Sequence, residues 1–101
     1  MNVGRAIRLC RTQKSFTQKT LAAKAGLSVS YLSLLEQNKR DPTISKIRDI
    51  ALALGIPASI LFFLAADEAE LSGLDSGLID RLASTALGFV HESGRADKTL
   101  I

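Results

Sequence analysis

Two short helical patterns joined by a tight turn constrain the fold of this 101-residue chain more than any other feature. The first opens at Thr17, a favourable N-cap residue, and runs to Ala25. Gly26 follows it and fits the left-handed conformation that commonly ends helices. The second opens at Ser28, another N-cap residue, and runs to about Gln37. A turn this short forces the second helix to cross the first steeply.

Small and branched apolar residues are placed to fill the angle between these two helices. They are Leu21, Ala22, Ala25, Leu27, Leu32 and Leu35. The N-terminal end and outer face of the second helix are then left exposed, with the side chains of Ser28, Val29, Ser30, Ser33 and Lys39. A helix presented in this way fits the major groove of DNA.

Three further helices are predicted around this pair. The first runs from Val3 to about Gln13. A fourth is capped by Thr43 and stopped by Gly55, and its apolar residues recur at helical spacing at Ile44, Ile47, Ile50, Ala51 and Leu54. A fifth starts at Pro57, a residue favoured at helix starts, and carries Ile60, Leu61, Phe62, Phe63 and Leu64. These patterns predict a compact, all-α fold.

The last third of the chain has a different character. Residues 66–77 are acidic and contain glycine, which indicates either a polar linker or a frayed end of the fifth helix. A sixth helix with one broad apolar face is predicted over residues 76–91. Gly94 is expected to end it, and residues 95–101 are expected to form a tail.

Charge is distributed unevenly along the chain. Residues 1–48 contain ten basic and two acidic side chains, whereas residues 49–101 contain three basic and eight acidic ones. A basic first half indicates a polyanionic partner such as nucleic acid. A solvated basic surface without such a partner is the alternative.

Several classes of function lack support in the sequence. A single cysteine, Cys10, permits no internal disulfide, which fits a cytoplasmic protein, and we expect it to be a core residue. Residues 1–14 lack the apolar segment of a signal peptide, and no apolar run is long enough to span a membrane. The lone His91 has no partners at metal-ligand spacing, and no catalytic grouping is evident. We therefore expect no catalytic residues, no metal, no cofactor and no enzyme activity.

Six motifs in order then carry a resemblance to a known family. They are G-x-x-I-R-x-x-R from Gly4, T-Q-x-x-L-A-x-x-A-G from Thr17, L-S-x-S-Y-L-S from Leu27, L-E from Leu35, K-R-x-P-T from Lys39 and I-A-x-A-L-G-I-P from Ile50. Residues 4–64 thereby resemble the lambda-repressor/Cro-like helix-turn-helix family, also called the xenobiotic-response-element family. The resemblance implies a compact five-helix domain that binds operator DNA as a dimer.

The resemblance also assigns roles to individual residues. Base reading falls to the first turns of the third helix, at Val29, Ser30 and Ser33. Phosphate contacts fall to Thr17, Gln18, Ser28, Tyr31, Lys39 and Arg40, although Tyr31 could equally pack on the second helix. Arg11 and Glu36 match a structural salt bridge between the first and third helices. The short side chains at the reading positions indicate modest direct readout or reliance on DNA shape.

A dimer is expected because one such unit reads only a few base pairs. Residues 1–65 are then the DNA-binding domain, and residues 66–101 supply a linker, a helix and a tail for dimerisation. The fifth helix, the sixth or both are expected to form the interface, through Ile60, Phe63, Leu64, Leu78, Leu82 and Leu87. Alternatively, the sixth helix only caps its own domain.

The sequence thus predicts a sequence-specific transcriptional regulator, acting as a repressor or autoregulator on an operator. Phage, plasmid and restriction-modification settings all fit. An antitoxin that binds a toxin partner as well as DNA is the alternative from a different class.

Overall fold

The chain folds into helices only, as the sequence predicts, over the part that the structure describes. The structure is a computed structural model that describes the backbone of residues 1–99 and the side chains of residues 1–91. Its helices are α1 (Val3–Gln13), α2 (Gln18–Ala25), α3 (Val29–Glu36), α4 (Ile44–Leu54), α5 (Ala58–Ala65), α6 (Glu68–Leu71) and α7 (Ser76–Thr99).

The predicted helix boundaries in the first two-thirds of the chain are set by local signals. The hydroxyls of Thr17, Ser28 and Thr43 each accept a hydrogen bond from the backbone N–H three residues further on, at 3.0 to 3.1 Å. Gly26 and Gly55 end α2 and α4 with φ angles of 70° and 72°. Because only glycine adopts this conformation without strain, each residue fixes where its helix stops.

One apolar core joins α1 to α5 and the middle of α7. Its fully buried side chains include Ile7, Cys10, Leu21, Leu32, Leu35, Ile50, Leu54, Leu61 and Val90. The prediction that Cys10 is a core residue is confirmed, since its side chain is completely buried. The third helix is thereby held between α1 and α2 with its opposite face in solvent.

A close backbone approach fixes α1 against the end of α3. A Cβ atom at Gly4 would clash with the carbonyl oxygen of Leu35, so no other residue fits without a shift. The Gly4 N–H donates to the side chain of Asn38 at 3.2 Å. Asn38 itself follows α3 in the left-handed conformation, with φ of 57°, which asparagine adopts more readily than most residues other than glycine.

The structure differs from the predictions at two places near α4 and α5. Ile44 belongs to the apolar residues predicted at helical spacing in the fourth helix, but 64% of its surface is exposed. It is the first residue of α4 and lies one turn before Ile47, beyond the edge of the core. Residues 66–77 are neither a linker nor a frayed end alone, because Asp67 and Glu70 form a capping box that starts the short helix α6.

The last helix is longer than predicted. It continues through Gly94 to Thr99, whereas the sequence predicts an end at Gly94 and a tail beyond it. A glycine inside a helix costs only about 0.5–1 kcal/mol, so it weakens a helix without necessarily ending it. Within residues 1–99, no single helix is long and apolar enough to cross a membrane.

One side of α7 packs on α5 and α1, and its flanks are open. Ala86 and Val90 are buried, and Leu78 and Leu82 are half-buried. On the flanks, Leu87 is 50% exposed and Phe89 is 40% exposed. Phe89 was not among the residues predicted for the dimer interface. The helix therefore carries apolar surface that its own domain does not cover.

Candidate nucleic-acid interface

The N-terminal turn of α3 is exposed to solvent. Val29 is 43% exposed, and Ser28 and Ser30 are also exposed. The Ser28 hydroxyl accepts the Tyr31 N–H at 3.0 Å and so caps the helix. Val29 and Ser30 thus lie where the prediction of base reading requires, with an apolar branch and a hydroxyl facing solvent.

Ser33, the third predicted base reader, lies one turn further along α3 and is half-buried. Its hydroxyl accepts a hydrogen bond from the side-chain amide of Gln37 at 2.8 Å. Sequence reasoning missed Gln37, although its spacing of four residues from Ser33 places both on one helix face. A contact from Ser33 to a base therefore involves Gln37 as well.

Arg11 and Glu36 lie in contact and tie α1 to the end of α3. The Arg11 Nε donates to Glu36 Oε2 at 2.7 Å, and Nη2 donates to Oε1 at 3.0 Å. Nη1 donates to the carbonyl oxygen of Phe16 at 2.9 Å. The Glu36 side chain is only 4% exposed, so its negative charge is neutralised inside this pair.

Gln18, predicted at a phosphate, joins the same network. Its Nε2 donates to Glu36 Oε1 at 3.2 Å, which leaves one N–H of the amide to point elsewhere. Because Gln18 is the first residue of α2, its backbone N–H is among those without a partner inside the helix. The network therefore holds a side-chain donor beside the positive end of the helix dipole.

A depression of about 240 Å³ lies beside this helix start, lined by Arg8, Arg11, Gln18, Glu36 and Gln37. Since Arg11 neutralises Glu36, the remaining charge of the lining is the exposed guanidinium of Arg8. Sequence reasoning assigned Arg8 no role. Its position one turn before Arg11 on α1 was the signal that could have found it. We name this depression, with its five lining residues, the anion cradle.

The other predicted phosphate residues lie around the same surface. Lys39 and Arg40 are exposed in the segment after α3. The Arg40 guanidinium lies 5.7 Å from the centre of the Tyr31 ring, at cation–π distance. Tyr31 is half-buried, and its side chain packs against the core cluster. Thr17 is exposed, but its hydroxyl is occupied as the cap of α2.

Comparison with known families identifies the class of protein to which this fold belongs. Residues 7–61 match the family model described as helix-turn-helix. The chain therefore belongs to the helix-turn-helix family of lambda-repressor/Cro-like, DNA-binding transcription regulators, in which the sequence motifs had placed it.

Three known proteins are similar over the same region. An immunity repressor protein of Bacillus phage phi105 is 41% identical over 61 residues, which are 60% of this chain and 42% of that repressor. The HTH-type transcriptional regulator y4dJ of Sinorhizobium fredii is 39% identical over 54% of this chain and 70% of its own length. YazB, an HTH-type transcriptional regulator of Bacillus subtilis, is 41% identical over 57% of this chain and 84% of its own length. The match to the phage repressor thus spans under half of that protein.

Proposed function

We propose that this protein is an operator-binding repressor that acts as a homodimer. The observation that carries the proposal is the exposed first turn of α3 beside the anion cradle at the start of α2. The name of the phage relative, an immunity repressor, supports repression as the sign of regulation.

The anion cradle is the proposed site of one backbone phosphate per protomer. The unpaired N–H groups and positive dipole end at the start of α2 attract an anion. Arg8 adds a full positive charge, and Gln18 and Gln37 each add an amide donor. These contacts fix the protein on the duplex without reading its sequence. Lys39 and Arg40 extend the same backbone contact beyond α3.

Sequence reading is assigned to the exposed turn of α3. The methyl groups of Val29 suit contact with a thymine methyl, and the Ser30 hydroxyl suits a base edge as donor or acceptor. Ser33 contributes together with Gln37. Because these side chains are short, sequence-dependent DNA shape supplies part of the specificity.

The proposed dimer forms through α7, so that residues 1–65 bind DNA and the segment from residue 66 joins the protomers. Leu78, Leu82 and Phe89 lie on one flank of α7 at spacings of four and seven, which is the spacing of helix–helix seams. Leu87 is exposed on the opposite flank. Ile60 is buried inside its own domain, so of the predicted α5 residues Phe63 and Leu64 retain more surface for a partner.

A DNA titration tests the proposal. The protein is titrated against random duplex and against the DNA upstream of its own gene, at two salt concentrations. We expect binding to the upstream DNA at least about a thousandfold tighter than to random duplex. Ser30→Ala should weaken binding chiefly to the upstream site, whereas Lys39→Ala should weaken binding to both DNAs.

Arg8→Ala tests the anion cradle in the same titration. The variant should bind both DNAs more weakly by the same factor. The slope of log affinity against log salt concentration should fall by about 1 for each half-site. Arg81→Ala removes the same charge from an exposed position on α7 and is the matched control. It should change neither the affinity for DNA nor the salt slope. Equal affinity of the protein without substitutions for both DNAs would contradict the operator proposal.

A further inference from the structure

A second cavity lies away from the anion cradle, at the opposite end of α2. It has a volume of about 460 Å³ and is formed where the C-terminal ends of α1, α2 and α4 meet α7. Sites for small molecules typically measure about 300–1,000 Å³. Lys24 belongs to the lining and lies in the last turn of α2, whereas Gln18 of the anion cradle is its first residue. A ligand here would leave the proposed DNA-binding surface free.

The lining combines an apolar floor with cationic side chains. The floor includes the half-buried ring of Phe16 and the buried side chains of Leu54 and Val90. The cations are the ammonium groups of Lys14 and Lys24, and the imidazole of His91 adds a further nitrogen donor or acceptor. Among the described lining side chains there is no carboxylate.

Neither ammonium group has an anionic partner among the described side chains. Lys14 Nζ donates to the carbonyl oxygen of Leu54, which closes the end of α4 and leaves two N–H groups for other acceptors. Burial of Lys14 lowers its pKa, because partial desolvation disfavours the charged form. Lys24 Nζ lies 5.5 Å from the centre of the Phe16 ring, so a positive charge is held beside an apolar surface.

We infer that this cavity binds a small organic anion, a carboxylate or sulfonate attached to a compact apolar body. The apolar body would cover Phe16 and Val90, and the anion would offset the charges of Lys14 and Lys24. Such a ligand touches both α4 and α7, so it would link the proposed dimer helix to the DNA-binding domain. The inference concerns ligand binding alone and holds whether or not the operator proposal does.

The test uses 8-anilinonaphthalene-1-sulfonate as the probe, with the full chain and without DNA. We expect saturable fluorescence with one probe per protomer. N-phenyl-1-naphthylamine, which has the same apolar body without the sulfonate, should bind at least about tenfold more weakly, since two ammonium groups are involved. Lys24→Gln should raise the dissociation constant of the anionic probe by about fivefold. Lys19→Gln, an exposed lysine on the same helix outside the cavity, is the matched control.

Amide chemical-shift mapping by NMR locates the bound probe on the chain. Shifts at Phe16, Lys24, Gly55 and Val90 are expected, with the first turn of α3 unchanged. Equal binding of the neutral probe, or shifts confined to the exposed Leu74, Leu87 and Phe89, would overturn the inference. Amide chemical shifts of Lys24→Gln that match those of the original protein outside the cavity would show that the variant is folded.

Discussion

Arg11 reaches across from α1 to Glu36 at the end of α3 with two hydrogen bonds, of 2.7 and 3.0 Å. The pair is nearly closed to water, with side-chain exposures of 13% and 4%. It sets the position of α3 relative to α1 and also places a hydrogen-bond acceptor under Gln18.

Breaking this pair from one side should be costly, because the remaining charge stays buried without an opposite charge beside it. We expect Arg11→Met to lower the free energy of unfolding by about 3 kcal/mol. Glu36→Gln should also destabilise, and the double variant should lose less than the sum of the two. Urea unfolding of the four proteins measures the coupling. Losses under about 1 kcal/mol in both single variants, as for exposed pairs, would contradict this role.

The exposed ring on α7 gives a test of the dimer. Phe89→Glu should raise the dissociation constant of the homodimer at least about tenfold, because a charge would enter an apolar seam. Analytical ultracentrifugation over a range of concentrations measures it. Leu52→Glu is the matched control, since Leu52 is 82% exposed and lies on α4 outside the seam. An unmodified protein that is monomeric throughout would leave α7 free for a different protein, as the antitoxin alternative requires.

The thiol of Cys10 should be unreactive in the folded protein. Burial raises its pKa, because the thiolate is disfavoured away from water. The folded state therefore keeps the proton to higher pH than the unfolded chain does, so stability falls as the pH rises above the ordinary thiol pKa. At pH 8 we expect reaction with a disulfide reagent at least about a hundredfold slower than for the urea-unfolded chain. Rapid reaction without unfolding would contradict the buried position.

Ser15 provides a test of backbone strain between α1 and α2. Its φ is 58°, a conformation that costs a non-glycine residue roughly 1–2 kcal/mol. Ser15→Gly should remove this strain. Glycine loses more entropy on folding, which offsets part of the gain and leaves a net stabilisation of about 0.5–1 kcal/mol. Thermal and urea unfolding measure the change. Gly26→Ala is the opposite experiment: no atom would clash with its Cβ, but its φ of 70° should make the variant less stable.

The sequence predicted the first five helices well because their boundaries depend on local chemistry. The caps at Thr17, Ser28 and Thr43 and the stops at Gly26 and Gly55 need no knowledge of the rest of the fold. Apolar spacing likewise identified most of the core. These signals act within a few residues, so a single sequence contains them in full.

Features that depend on distant segments were missed. Gly4 is required by the backbone of Leu35, which is far away in sequence, and the spacing of α1 alone gives no sign of it. Ile44 follows the apolar period of α4 but lies beyond the core, whose extent depends on the other helices. Arg8 lies one turn before Arg11 on α1, but only the folded chain brings it beside Gln18 and Gln37 in the proposed phosphate site.

The exposure of Val29 and Ser30 has a consequence for how this domain can change its target. Their side chains lie outside the core cluster, so substitutions there should cost little stability, typically within about 0.5 kcal/mol. The parts that hold α3 in place, from Gly4 to the Arg11–Glu36 pair, lie elsewhere on the chain. On the base-reading role proposed for this turn, new operator preferences can be selected at two adjacent codons while the scaffold that presents them stays intact.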